Sequence, residues 1–471
     1  MKDLVVIGGG VGGLVTASVA GQLGLAVTLI ERGPKLGGDC LHSGCIPSKT
    51  LLRSAEVAAL MRRGEAFGLP AFQPQVNMRS VNARIQSVID RIQTHDDPER
   101  YRAYGVQVLY GIARFINSGE VEVKGTRIAG RRFVIATGSR PMVPPVPGLE
   151  QTGYITNEQA VGLQTLPPRL AVLGAGAVGV ELAQAFLRLG SRVCLLESAA
   201  EILPREEPEL AAELRAILTG EGMDIRLGVC LQRVEPSPTG KRLLLQQDEQ
   251  RIALEVDEIL VATGRRPNIE ELALEAAGVA YDRAGIRVDA RMRTTRPRIY
   301  ACGDVCGPFG FTHMAEYQAG IVISNAVFRF PKKADYSVVP SVIYCDPELA
   351  RVGLTASEAK AQALDVEVLE FPFNEVDRAL TEGAEAGRMR LIVQRGRIRG
   401  ATLLGARAGE LLHEIVLAMT AGVRMDRISA AIHAYPTLAQ IHRRTVNTFY
   451  ARKLFSPRTR HLVRWLQRLL P

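Results

Sequence analysis

The sequence predicts an α/β fold in which one strand-helix-strand unit occurs twice. Three observations carry this. Two glycine-rich turns, Gly8-x-Gly10-x-x-Gly13 and Gly174-x-Gly176-x-x-Gly179, each follow a short apolar run and open a helical pattern. The two stretches superpose at an offset of 166 residues, Leu4 on Leu170 and Glu31 on Glu197, so that strand falls on strand, helix on helix and acid on acid. With 471 residues the chain is too long for one ordinary core, and 45 glycines against 13 phenylalanines favour turn-rich α/β layers.

In the first copy LVVI runs into the glycines, a helix follows to about Leu23, and AVTLI closes at Glu31. The second repeats this with LAVL, a helix, and VCLL closing at Glu197. Glycines permit the tight turn and let backbone N–H groups at the helix N-terminus approach a pyrophosphate, while the acid accepts hydrogen bonds from a ribose. After Glu197 come Ser198, Ala199 and Ala200, and the next arginine is Arg205. An anion where a 2′-phosphate needs a cation points to NAD over NADP.

Composition bounds the rest. A chain that is 47% hydrophobic and 23% charged is globular. Residues 4–30 carry no charge, but seven glycines break them and no basic leader precedes, so they are expected to be buried strand, turn and helix, neither a span nor a signal. Seven scattered cysteines without a signal suggest the reducing cytoplasm, where a disulfide is catalytic. The net charge is +9, yet residues 441–471 hold eight Lys or Arg and no Asp or Glu, which leaves +1 for everything else. The body therefore has no nucleic-acid footprint.

Residues 37–49 read GGDCLHSGCIPSK, placing Cys40 and Cys45 directly after the first copy, with a helical pattern starting near Pro47. A thiolate at a helix N-terminus is stabilised by the dipole and by unpaired N–H groups, which makes such a cysteine reactive.

Together with ATGSRP at 136–141, VATGRRPN at 261–268, YACGD at 300–304 and HAYPT at 433–437, this stretch resembles the class I flavoprotein disulfide oxidoreductases, in the dihydrolipoamide dehydrogenase and mercuric reductase branch. The resemblance covers nearly the whole chain. It implies two Rossmann-like domains, for FAD and NAD, plus a C-terminal α+β dimerisation domain. The expected division is an FAD-binding domain over 1–145, an NAD-binding domain over 146–266, a central segment over 267–333 completing the first, an interface domain over 334–450, and a tail over 451–471. The punctuation agrees, with VPPVPG at 143–148 as the crossing, Arg265–Asn268 as the return and Pro331–Lys333 as the entry to the last domain.

The resemblance also implies roles. Gly8, Gly10, Gly13 and Glu31 would bind the adenosine end of FAD, with Thr137, Gly138 and Asp304 completing its site, and Gly174, Gly176, Gly179, Glu197 and Gly264 would hold NAD. Cys45 would face the flavin and Cys40 the substrate, a small dithiol or disulfide such as a lipoyl group carried on a protein. Lys49 and Glu181 would pair near the flavin and tune it. His433 would be the base that takes the thiol proton, reaching across a homodimer. The pattern breaks at Gln440, where the family commonly has a glutamate to orient that histidine; an amide orients without offsetting charge.

No metal site is expected. Cys302 and Cys306 have no second ligand pair nearby, and Cys194, Cys230 and Cys345 are read as packing residues. In the tail, Leu462, Trp465, Leu466, Leu469 and Leu470 follow helical spacing, with Arg460, Arg464 and Arg468 on another face. That basic amphipathic helix could dock on its own dimer, on a membrane or on an acidic partner. Two rival functions follow. One is mercuric-reductase-like, NAD(P)H-dependent reduction of a metal ion or another disulfide, against which stand the expected lack of an N-terminal metal-capturing domain and of a cysteine pair beyond Cys345. The other is a flavoprotein whose main task is assembly or anchoring through the tail.

Overall fold

The computed structural model describes residues 1–469; Leu470 and Pro471 lie outside the described residues. The chain divides into two compact units, one of residues 1–59, 73–196 and 229–336, the other of residues 60–72, 197–228 and 337–471.

The first unit contains the strands, glycine turn and helix of both copies, while Glu197, the terminal acid of the second, falls in the other unit. Leu4–Ile7 is buried on both faces, as a central parallel strand requires, and pairs in parallel with Val27–Glu31 and with Phe133–Ile135. Ile299–Ala301 and Val106–Tyr110 complete a five-stranded sheet. The helix Val11–Gln22 follows the first glycine turn and buries Leu14, Ala17 and Ala20. In the second copy Arg169–Leu173 pairs in parallel with Arg192–Leu196 and with Glu258–Val261, and the helix Ala177–Leu189 buries Val180, Leu182 and Phe186.

The two copies are also joined alike. Ser139–Pro141 pairs antiparallel with Arg265–Pro267, so ATGSRP and ATGRRP zip together. Thr137 Oγ1 donates to the Asn268 carbonyl at 2.8 Å, and Asn268 Nδ2 returns a bond to the Thr137 carbonyl at 2.9 Å.

The second unit is α+β. Its antiparallel sheet runs in the order Pro340–Ile343, Glu348–Gly353, Arg397–Gly405, Arg388–Gln394, Glu367–Pro372. The helices Ala408–Thr420 and Gln440–Leu454 contribute Leu412, Ile415, Ile441 and Val446 to its core. Among the described residues no helix is long and apolar enough to cross a membrane.

Candidate active site

The first glycine turn is shaped for a phosphate. Gly8 has a φ of 109°, and a Cβ on it would meet the Ala136 carbonyl at 2.3 Å; a Cβ on Gly13 would meet the Gly8 carbonyl at 1.9 Å. The second copy repeats both contacts, Gly174 against the Ala262 carbonyl at 2.7 Å and Gly179 against the Gly174 carbonyl at 1.9 Å. Only a bare backbone closes so tight a turn. The middle glycines differ: a Cβ on Gly10 would touch nothing nearer than 3.8 Å, and one on Gly176 nothing within 4 Å. Both cap their helices in extended conformation with no side-chain cap, so first-turn N–H groups face open space. That cradle fits the pyrophosphates of two dinucleotides.

Glu31 ends its strand and accepts from the N–H groups of Gly9 and Gly33, each at 2.6 Å. Glu197 follows Leu196 and accepts from Ala199 N–H at 2.9 Å and Ser198 Oγ at 3.2 Å. Gly138 and Gly264 both adopt positive φ beside the ribbon. Asp304 opens a 3₁₀ turn and accepts from Ser139 Oγ at 2.6 Å. Ser139 in turn accepts from Arg265 Nε at 2.8 Å, and Arg265 reaches Asp39 Oδ2 at 2.8 Å. This chain ties the residue beside Cys40 to the expected FAD segment, and sequence reading did not find Asp39, Ser139 or Arg265.

Cys45 is the first residue of the helix Cys45–Arg62, earlier than the expected Pro47, while Cys40 lies on the short helix Gly38–His42. Both are thiols; Cys45 is exposed and Cys40 half-buried. The Cys45 thiol is lowered to about 6, first by a hydrogen bond from Cys40, then by one from Thr312, whose Oγ1 is 3.4 Å away, and by the Lys49 charge; burial and Glu181 oppose this. The Cys40 thiol moves the other way, raised chiefly by donating to Cys45 and by burial. One proton is therefore shared by the pair and the negative charge rests on Cys45. Lys49 lies one helical turn on, its Nζ 2.7 Å from Oε2 of the buried Glu181. Lys49 and Glu181, expected to pair, form an ion pair. Thr312, which opens the helix Thr312–Val322, was missed.

In the second unit, His433 has its side chain turned inward at 7% exposure. Its Nε2 lies 3.1 Å and 3.2 Å from the two Glu414 oxygens, and its Nδ1 3.3 Å from the Ala431 carbonyl. Glu414 comes from the middle of the helix Ala408–Thr420. Its Oε2 also lies 2.8 Å from Nδ1 of His442, out of line for a directed hydrogen bond, and both nitrogens of that ring are buried without an aligned partner among the described residues. Burial pushes the Glu414 carboxyl up, but His442 and then His433 outweigh it and hold it below its ordinary value. Gln440 is half-buried at the start of the helix Gln440–Leu454, and the carboxylate at His433 is supplied by Glu414.

The other cysteines divide. Cys302 is fully buried near Gly12, where a Cβ would come within 3.0 Å of its sulfur, and burial raises its thiol to about 12 and that of Cys306 well above the usual range. Cys194 and Cys345 are buried packing residues, but Cys230 is exposed, correcting the expectation. It follows the buried Val229 on the strand Val229–Ser237, where alternation turns it outward.

Comparison with known proteins agrees with this architecture. Residues 2–319 match the pyridine nucleotide-disulphide oxidoreductase family and residues 339–445 its dimerisation domain, which supports a homodimer. A dihydrolipoyl dehydrogenase from Thermus scotoductus is 39% identical over 456 residues, 93% of this chain and 95% of that protein. A mercuric reductase from Lysinibacillus sphaericus is 33% identical over 441 residues, 93% of this chain and 81% of that protein. The Cu(II) complex of the HOCl-induced flavoprotein disulfide reductase RclA from Escherichia coli superposes with a TM-score of 0.85 at 28% identity, covering 95% of this chain and 99% of that one. The chain therefore belongs to the pyridine nucleotide-disulphide oxidoreductases, as an FAD-binding, NAD(P)-dependent flavoprotein disulfide oxidoreductase of the dihydrolipoyl dehydrogenase and mercuric reductase branch.

Proposed function

We propose that this enzyme oxidises a small dithiol of the dihydrolipoamide type, passing two electrons through Cys40 and Cys45 to NAD⁺. The observation that carries this is the geometry of the pair: Cys45 heads the helix Cys45–Arg62 with Cys40 on the short helix before it, Thr312 Oγ1 3.4 Å from its sulfur and the Lys49–Glu181 ion pair one turn on. A thiolate of the substrate attacks Cys40 in the Cys40–Cys45 disulfide; the S–S bond breaks, a mixed disulfide forms on Cys40, and Cys45 leaves as thiolate. The second substrate thiol then attacks the mixed disulfide, releases Cys40 as a thiol and closes the substrate disulfide. A low leaving-group pKa at Cys45 speeds the first step.

His433 serves as the base for the substrate thiol, and Glu414, 3.1 Å from its Nε2, orients the ring and offsets its charge in place of the acid absent at Gln440. Lys49, held by Glu181, keeps a cation beside the Cys45 thiolate. FAD, when bound, supplies the two-electron exchange between Cys45 and the nicotinamide. Gly8, Gly10, Gly13, Glu31, Thr137, Gly138 and Asp304 would hold FAD, and Gly174, Gly176, Gly179, Glu197 and Gly264 the nicotinamide nucleotide. Glu197, with no arginine before Arg205, favours NAD over NADP. The division at residues 145, 266, 333 and 450 belongs to the same reading, as does a cytoplasmic setting that keeps the pair reducible.

The test is anaerobic mixing of the FAD-loaded enzyme with dihydrolipoamide and NAD⁺, following NADH, with Cys45→Ser as control. Cysteine-dependent NADH formation supports the reading. If NADH reduces the flavin while dihydrolipoamide yields none, the substrate assignment fails. A second reading, reduction of a soft metal ion at the same thiolates, is favoured by the similarity to mercuric reductase at 33% identity. Hg(II)-dependent NAD(P)H oxidation separates the two.

A further inference from the structure

The segment after Leu454 folds for local reasons. Ser456 caps a new helix, Pro457–Leu469, with Pro457 at its first position: Ser456 Oγ accepts from Thr459 N–H at 3.2 Å, and its carbonyl accepts from Arg460 N–H at 3.0 Å. The preceding helix Gln440–Leu454 buries Ile441, His442, Thr445 and Val446, whereas Pro457–Leu469 buries none of its residues. Its apolar stripe is open: Leu462, Trp465, Leu466 and Leu469 are 52%, 53%, 37% and 57% exposed. Leu454 and Phe455 just before it are exposed as well. Arg460, Arg464 and Arg468 line a different face, and no acid occurs anywhere in residues 441–471.

We infer that this helix is an interfacial anchor that lays the enzyme on an anionic lipid surface. A nucleic acid would take the arginines and leave the leucine stripe in water, and an acidic protein would need an apolar groove beside its acids to take both faces. Phosphate headgroups above an acyl layer satisfy both faces at once, with the tryptophan at their boundary. Salt would weaken such binding by screening. The inference is independent of which dithiol or disulfide the enzyme uses.

Trp465 is the only tryptophan in the chain, so its emission reports this helix alone. The FAD-loaded full-length enzyme is mixed with phosphatidylcholine vesicles, with or without phosphatidylglycerol, and followed by tryptophan emission and co-sedimentation. A blue shift and sedimentation that need phosphatidylglycerol and fade with salt are expected. Arg460→Gln, Arg464→Gln and Arg468→Gln combined should weaken binding roughly 100-fold, with flavin content unchanged. Leu466→Asp should abolish the shift. The inference is overturned by no binding, by equal binding to pure phosphatidylcholine, or by an emission already blue-shifted without lipid that moves red on dilution, which assigns the stripe to a second copy of this chain.

Discussion

Glu414 Oε1 lies 3.1 Å from His433 Nε2, bringing a carboxylate to the histidine from 19 residues earlier in the chain. If it orients and charge-balances the base, Glu414→Gln should slow dithiol-dependent NADH formation roughly 10- to 100-fold, the value of a charge-assisted hydrogen bond. Flavin content and NADH-driven flavin reduction should not change. Adding Gln440→Glu to that variant should recover part of the loss, because it restores a carboxylate at the position where the family pattern commonly has one. A Glu414→Gln enzyme as fast as the parent would remove Glu414 from the reaction.

The Cys45 thiol, lowered to about 6, sets a pH dependence with a definite sign. In the reduced enzyme its alkylation by iodoacetamide should rise with pH around a midpoint near 6. Because the folded value is depressed from 9.0, the stability this group adds is present above 9.0 and is lost as pH falls through about 6. Lys49 lowers the thiol and Glu181 raises it, so Lys49→Met should move the alkylation midpoint up and Glu181→Gln should move it down. Shifts in the same direction would contradict this electrostatic account.

These two sites were not equally legible. The glycine turns and the terminal acids are local patterns that their order and spacing carried, the cysteine pair is a local motif whose roles came from the resemblance, and the duplication reappears as matching contacts at Gly8 and Gly174. Lys49 and Glu181 are 132 residues apart and were reached only by resemblance. Thr312 lies 267 residues from Cys45, and Arg265 lies 226 from Asp39, distances at which no periodicity signals contact. Glu414 was hidden differently. It reads as a polar position on the amphipathic helix Ala408–Thr420, and only the fold turns it onto His433.

Arg390 tests the packing of the second unit. Its side chain is 7% exposed and faces Glu207, Glu209 and Glu370; Glu207, 3.3 Å away, is 1% exposed. Arg390→Ala leaves a buried carboxylate without its cation, which should cost about 3 to 5 kcal/mol. Arg390→Met with Glu207→Gln should cost clearly less, because charge is removed from both sides. Urea unfolding of the two variants decides; equal losses would mean that packing, not charge, holds this site.

The glycines separate a role in the turn from a role at the ligand. A Cβ on Gly179 would stand 1.9 Å from the Gly174 carbonyl, so Gly179→Ala must distort the turn itself. A Cβ on Gly176 meets nothing within 4 Å, so Gly176→Ala should leave folding and stability unchanged. It would still place a methyl group where backbone N–H groups meet the pyrophosphate. Gly176→Ala should therefore raise the KM for NADH about tenfold or more, with flavin content and melting temperature as in the parent. Gly179→Ala should lower the melting temperature and NADH binding together. If Gly176→Ala bound NADH normally, the open space above that helix N-terminus would not be the nicotinamide nucleotide site, and the second glycine turn would be a relic of the duplication.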